Sequence, residues 1–83
     1  MASVNQQNAR EWNKKGIQVA GTKEALAYYD KAIQLDPSTT TYISNKAVTL
    51  AKMGRREDAI ACYDRIIGMD GNNTAAYHRK GIE

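Results

Sequence analysis

The chain has 83 residues, a formal net charge of +3, and 42% hydrophobic and 25% charged residues. This is the size of one domain and the balance of an ordinary soluble globular protein, which excludes a disordered chain. So mild a positive charge is no nucleic-acid footprint by itself, the polar start from Met1 to Gln7 has no apolar signal core, and no apolar run approaches the roughly 20 residues that span a bilayer.

Five helices are expected in chain order, with ends uncertain by about two to four residues. The first covers 3–20. Ser3 with Gln6 three residues on is a capping-box signature, and Ala9, Trp12, Gly16 and Val19 recur at one-turn spacing. Gly21-Thr22 breaks the chain. The second helix, 23–36, carries Ala25, Leu26, Tyr29, Ala32 and Ile33 on one face. Tyr28 and Tyr29 are adjacent, so one turns inward. Periodicity selects Tyr29 and leaves Tyr28 as a partly exposed filler. Pro37 disfavours a helical Asp36 and ends this segment. The third helix, 40–53, presents Ile43, Ala47, Leu50 and Ala51 and stops at Gly54. The fourth, 56–69, presents Ala59, Ile60, Tyr63, Ile66 and Ile67. Its start, Arg55-Arg56-Glu57-Asp58, reads as a solvated first turn in which acids favour the helix dipole. Gly71-Asn72-Asn73 precedes a fifth helix at 74–82.

The chain repeats itself. A shift of 34 residues sets Ala25 on Ala59, Leu26 on Ile60, Tyr29 on Tyr63, Asp30 on Asp64, Ile33 on Ile67 and Asp36 on Asp70. It also carries Ile43, Lys46, Ala47 and Val48 to Tyr77, Lys80, Gly81 and Ile82. Upstream, Trp12, Lys15, Gly16, Ile17 and Val19 match Ile43, Lys46, Ala47, Val48 and Leu50 at a shift of 31, so the first copy lacks three residues between Val19 and Lys23.

These residues resemble the tetratricopeptide repeat, whose pattern is Trp-x2-Leu-Gly-x2-Tyr, Ala-x3-Phe and Pro over about 34 residues. The first copy reads Trp12, Lys15, Gly16 and Val19, then Ala25 and Tyr29, then Pro37. The second reads Ile43, Lys46, Ala47 and Leu50, then Ala59 and Tyr63, then Gly71. The third gives Tyr77, Lys80 and Gly81. The resemblance implies an all-α fold of antiparallel helix-turn-helix repeats, stacked as a short right-handed α-solenoid of about five helices. It divides a single domain, 1–83, into a shortened repeat one at about 9–39, repeat two at about 40–73 and a partial third repeat at 74–83. Gly16, Ala47 and Gly81 then allow close helix approach while Tyr29 and Tyr63 fill the space beside Ala25 and Ala59. The three-residue deletion shortens the first helix or tightens its turn.

In that family the first helix of each repeat lines a concave groove. The expected groove residues are Asn13, Lys14, Ile17, Ser44, Asn45, Val48, Lys52, His78 and Arg79. The first helices hold seven cations and two acids, a net +5, whereas the remainder sums to −2. Such a groove attracts an acidic segment or a C-terminal carboxylate. Asn45 and Arg79 also resemble two residues of the carboxylate-clamp class, which holds acidic chaperone tails, and Arg79 is suited to a carboxylate by its two parallel donors. Asn13, Ile17 and Ala75 depart from that pattern, so a clamp is matched at two positions of five.

Other features read as structural. Lys15, Lys46 and Lys80 recur at one repeat position, either as a basic ladder or with stems covering apolar surface. Trp12 reads as core and His78 as an ordinary groove or surface histidine, without the clustered ligands a metal needs. Cys62, the single cysteine, excludes an internal disulfide and fits a reducing cytoplasm. It has no neighbouring base to make it a nucleophile. No cofactor, metal or catalytic constellation is indicated, and the aromatics read as too buried for RNA stacking. The expected function is protein–protein interaction, with a peptide held in the groove. A self-associating scaffold that oligomerises through its incomplete third repeat is the alternative.

Overall fold

A computed structural model describes residues 4–69. They form four helices, α1 (Val4–Gln18), α2 (Lys23–Leu35), α3 (Thr40–Lys52) and α4 (Arg56–Met69), and no strand occurs among the described residues. Each packs on the next, α1 on α2, α2 on α3 and α3 on α4, so two helical hairpins stack side by side. The expected helix at 74–82, with Tyr77, His78, Arg79, Lys80, Gly81 and Ile82, lies outside the described residues, as does Ser3 of the capping box.

Helix α1 ends at Gln18, short of the expected residue 20. The N–H groups of Val19 and Ala20 donate three residues back, to the carbonyls of Gly16 and Ile17 at 3.1 and 3.3 Å, which tightens the helix into a turn. Gly21 then adopts a φ of +89°. Thr22 caps α2: its Oγ1 accepts from the Ala25 N–H at 3.3 Å and donates to the Val19 carbonyl at 2.7 Å. Helix α1 stops two residues after Gly16, while α3 continues five residues beyond the equivalent Ala47. The missing residues of the first copy are therefore lost from the last turn of α1, and the connection to α2 is not the shorter one.

Helix α2 ends at Asp36, whose N–H still donates to the Ala32 carbonyl at 2.9 Å. The Asp36 side chain, 7% exposed, accepts from Ser38 Oγ at 2.9 Å and Thr39 Oγ1 at 2.6 Å. It clasps the Pro37 turn against the start of α3. Helix α3 ends in a Schellman motif: the Arg55 N–H donates to the Leu50 carbonyl at 2.8 Å and the Gly54 N–H to the Ala51 carbonyl at 3.0 Å. Gly54 sits at φ +80°, a conformation that side chains with a Cβ resist.

The core joins Ala9 of α1, Tyr29, Ala32 and Ile33 of α2, Tyr42, Ile43, Ala47 and Leu50 of α3, and Ala59, Tyr63 and Ile66 of α4. Two expectations need correction. Ala51 is exposed, because it falls on the flank of α3 that no helix covers. Trp12 is only half-buried: it packs on the edge of the core and stacks on Tyr28, centroids 5.8 Å apart. Tyr42 and Thr49 are buried although the helical pattern did not select them.

Tyr29 links three helices. A Cβ at Gly16 of α1 would stand 2.5 Å from its Cε1, and its hydroxyl is hydrogen-bonded to the side chain of Thr49 on α3. Burial pushes the Tyr29 phenol above its ordinary pKa, and the Thr49 contact partly offsets this.

Candidate functional site

The candidate groove residues of α1 and α3 come together at one contact. Asn45 Nδ2 donates to Asn13 Oδ1 at 2.9 Å, joining the first helices of the two repeats. Both amides are half-buried. Ile17, one turn beyond Asn13, is 55% exposed, and an isoleucine so open to water on a packed helix is an unused apolar surface. Ser44 and Val48 are partly covered one turn apart on α3, and Lys14 and Lys52 are exposed at the margins. Asn13, Ile17, Ser44, Asn45 and Val48 thus form one polar-apolar strip. His78 and Arg79 are outside the described residues.

The charges are arranged differently from the sum over helices. Lys15 turns from this strip and holds its ammonium 4.7 Å from the Trp12 ring centroid. Lys46 pairs with Asp30 of α2 at 2.6 Å. Lys14 reaches Glu11 at 3.6 Å along its own helix. Arg10 lies within electrostatic reach of Asp36, where it helps to lower the carboxyl pKa. Four of the five cations on α1 and α3 are thus directed to partners elsewhere, and the expected cationic strip is weaker than the net +5 suggests.

A cleft of about 330 Å³ opens on another flank, between α2, α3 and α4. Leu26, Asp30, Lys46, Arg55, Asp58 and Cys62 line it. Lys46 and Ser44 are two residues apart, or about 200° around a helix, so cleft and strip occupy opposite flanks of α3. Both charge pairs at the cleft are internal: Lys46 with Asp30, and Arg55 with Asp58 at 2.8 Å. Burial pushes the Cys62 thiol pKa up, which leaves little thiolate at neutral pH. Sequence reasoning missed this cleft, because it depends on how α2 and α4 flank α3. Among the described residues no three histidine, cysteine or acidic side chains gather to hold a metal ion, and no helix is long and apolar enough to cross a membrane.

A family model described as tetratricopeptide repeat matches residues 22–39 and 41–73. An uncharacterized protein of Methanocaldococcus jannaschii is 34% identical across 92% of this chain and 88% of its own length. The chain belongs to the tetratricopeptide repeat family. Other relatives carry the repeat inside much longer proteins. A TPR repeat-containing thioredoxin of Arabidopsis thaliana is 41% identical over 68% of this chain, which spans 8% of that protein. DnaJ homolog subfamily C member 7 of Mus musculus is 33% identical over 70% of the chain, which spans 12% of its length. As a tetratricopeptide repeat domain, the chain is a helical protein–protein interaction module, of a family whose fold is not enzymatic. The family's Gly-and-aromatic packing is present as Gly16 against Tyr29.

Proposed function

We propose that the domain binds a peptide segment of another protein along the strip formed by α1 and α3. The supporting observation is the Asn13–Asn45 hydrogen bond beside the exposed Ile17. Amide groups on two packed helices offer directional hydrogen bonds, and Ile17 with Val48 offers an apolar seat. Lys52 and Lys14 at the margins favour acidic residues in the ligand, and Arg79 is assigned to the same groove. A surface of this size gives affinities on the order of micromolar.

The test is a binding screen of acidic peptides by fluorescence polarisation, repeated with Ile17→Glu and with Asn45→Ala plus Arg79→Ala. Selected peptides should lose at least tenfold in affinity with either variant. Unchanged binding would remove the strip as the site.

A second copy of the chain is the competing occupant. Met69, 42% exposed at the end of α4, favours it. Light scattering separates the two: a self-assembling scaffold gains mass with concentration, and a peptide receptor stays monomeric.

A further inference from the structure

We infer that the Asn13–Asn45 pair grips the backbone of an internal, extended stretch of the partner chain, with an apolar side chain seated on Ile17, and does not hold a terminal carboxylate. This inference rests on the strip being the peptide site.

The argument is one of hydrogen-bond inventory. An asparagine amide has one carbonyl oxygen and two N–H donors. The bond between Asn45 Nδ2 and Asn13 Oδ1 uses one donor and one acceptor. It leaves the Asn13 Nδ2 group as donor and Asn45 Oδ1 as acceptor. Turning both amides over leaves the same complement, one carbonyl oxygen and N–H groups. An internal peptide residue presents one N–H and one C=O, the complementary set. A carboxylate presents acceptors only, so one of its oxygens would face the pair's own carbonyl oxygen without a proton between them.

Charge points the same way. A terminal carboxylate needs a cation to offset its loss of water. Around the pair, Lys14 is turned to Glu11, Lys15 to Trp12, Lys46 to Asp30 and Arg10 toward Asp36. What adjoins the amides is apolar: Ile17 four residues after Asn13, and Val48 three residues after Asn45. Both positions lie about one helical turn away. The ligand class is therefore an uncharged backbone segment followed by an aliphatic or aromatic residue, with acidic side chains confined to its flanks.

The experiment selects binders to the full chain from two displayed libraries of random twelve-residue peptides. One library is joined to its carrier at both ends and the other has a free C-terminus. Selected peptides are then measured by fluorescence polarisation as free acids, as C-terminal amides, and with single N-methyl groups along the backbone. The expected result is binders from the doubly joined library, affinity within twofold between acid and amide, and at least a tenfold loss from N-methylation at one central position. Asn13→Ala and Asn45→Ala should each weaken the same peptides at least fivefold with the helical circular dichroism unchanged. Binders that come only from the free-end library and fail on amidation overturn the inference while leaving the groove intact. Binders indifferent to Ile17→Glu, Asn13→Ala and Asn45→Ala overturn the groove reading, and the inference with it.

Discussion

The ring of Tyr29 occupies the space beside Gly16 that a side chain would need: a Cβ there would stand 2.5, 2.8 and 2.9 Å from three of its carbons. The ring is 2% exposed and its hydroxyl is tied to Thr49, so it has nowhere to retreat. Gly16→Ala should therefore destabilise the domain by a net of about 1–2 kcal/mol, overpacking outweighing the roughly 1 kcal/mol that alanine adds to a helix. Gly54→Ala should cost about 1 kcal/mol for a different reason, its positive φ, although the space around it is open. Gly68, also in open space but within α4, should accept alanine with a gain of about 0.5–1 kcal/mol. Thermal melts followed by circular dichroism check all three signs.

Removal of the Tyr29 hydroxyl leaves Thr49, 1% exposed, without its side-chain partner. Tyr29→Phe should cost about 1–2 kcal/mol, and so should Thr49→Val. The double variant should cost less than the two together, because each single change leaves the other hydroxyl stranded. Urea unfolding of the four proteins measures the coupling.

Asp36 makes stability depend on acid. The Thr39 hydroxyl, then that of Ser38, favours its charged form and holds its pKa below the ordinary carboxylate value, against the opposing effect of burial. A depressed folded pKa contributes stability that is present above the unfolded value of about 3.9 and is lost as pH falls through the folded value. Asp36→Asn should lower the melting temperature at pH 7 and flatten its decline between about pH 5 and pH 2. A wild-type-like pH profile in the variant would remove the clasp as the cause.

Lys46 and Lys52 belong to the same helix and should behave differently. Lys46→Met breaks the pair with Asp30, whose side chain is 48% exposed, and should cost no more than about 1 kcal/mol, less in high salt. It should alter peptide affinity by less than twofold. Lys52→Met should weaken acidic-flanked peptides more than this. Calorimetric titration at two salt concentrations compares them.

The Cys62 thiol should react with disulfide reagents several-fold more slowly than a small free thiol at neutral pH, since burial raises its pKa. Its rate should rise on unfolding in urea. A rate equal to that of the free thiol would contradict the packing of Cys62 against the core.

Periodicity placed the segments 23–36, 40–53 and 56–69 within one residue of α2, α3 and α4, because each carries an apolar stripe between clear breakers. The end of α1 was harder to read. Val19 continues the apolar stripe, yet its N–H already bonds three residues back. Residue types suggested the groove but not its wiring. The 31-residue shift aligns Asn13 with Ser44, whereas the hydrogen bond joins Asn13 to Asn45, a neighbour across the stack and not a repeat equivalent. Lys15 and Lys46 are equivalent in sequence and still find different partners. Trp12 supplies a ring in the first copy, where Ile43 stands in the second, and Asp30 reaches Lys46 from another helix. Such pairings depend on distances between elements, which repeat spacing does not encode.

Because Tyr29 belongs to the first hairpin and its hydroxyl ends on the second, neither hairpin is complete alone. Local opening of α3 would strip a buried phenol of its partner, and fraying of α1 would empty the space over its ring. The domain should therefore melt as one cooperative unit and not repeat by repeat as long arrays do. Amide hydrogens around Tyr29, in the middle of α2, should exchange only when the whole fold opens.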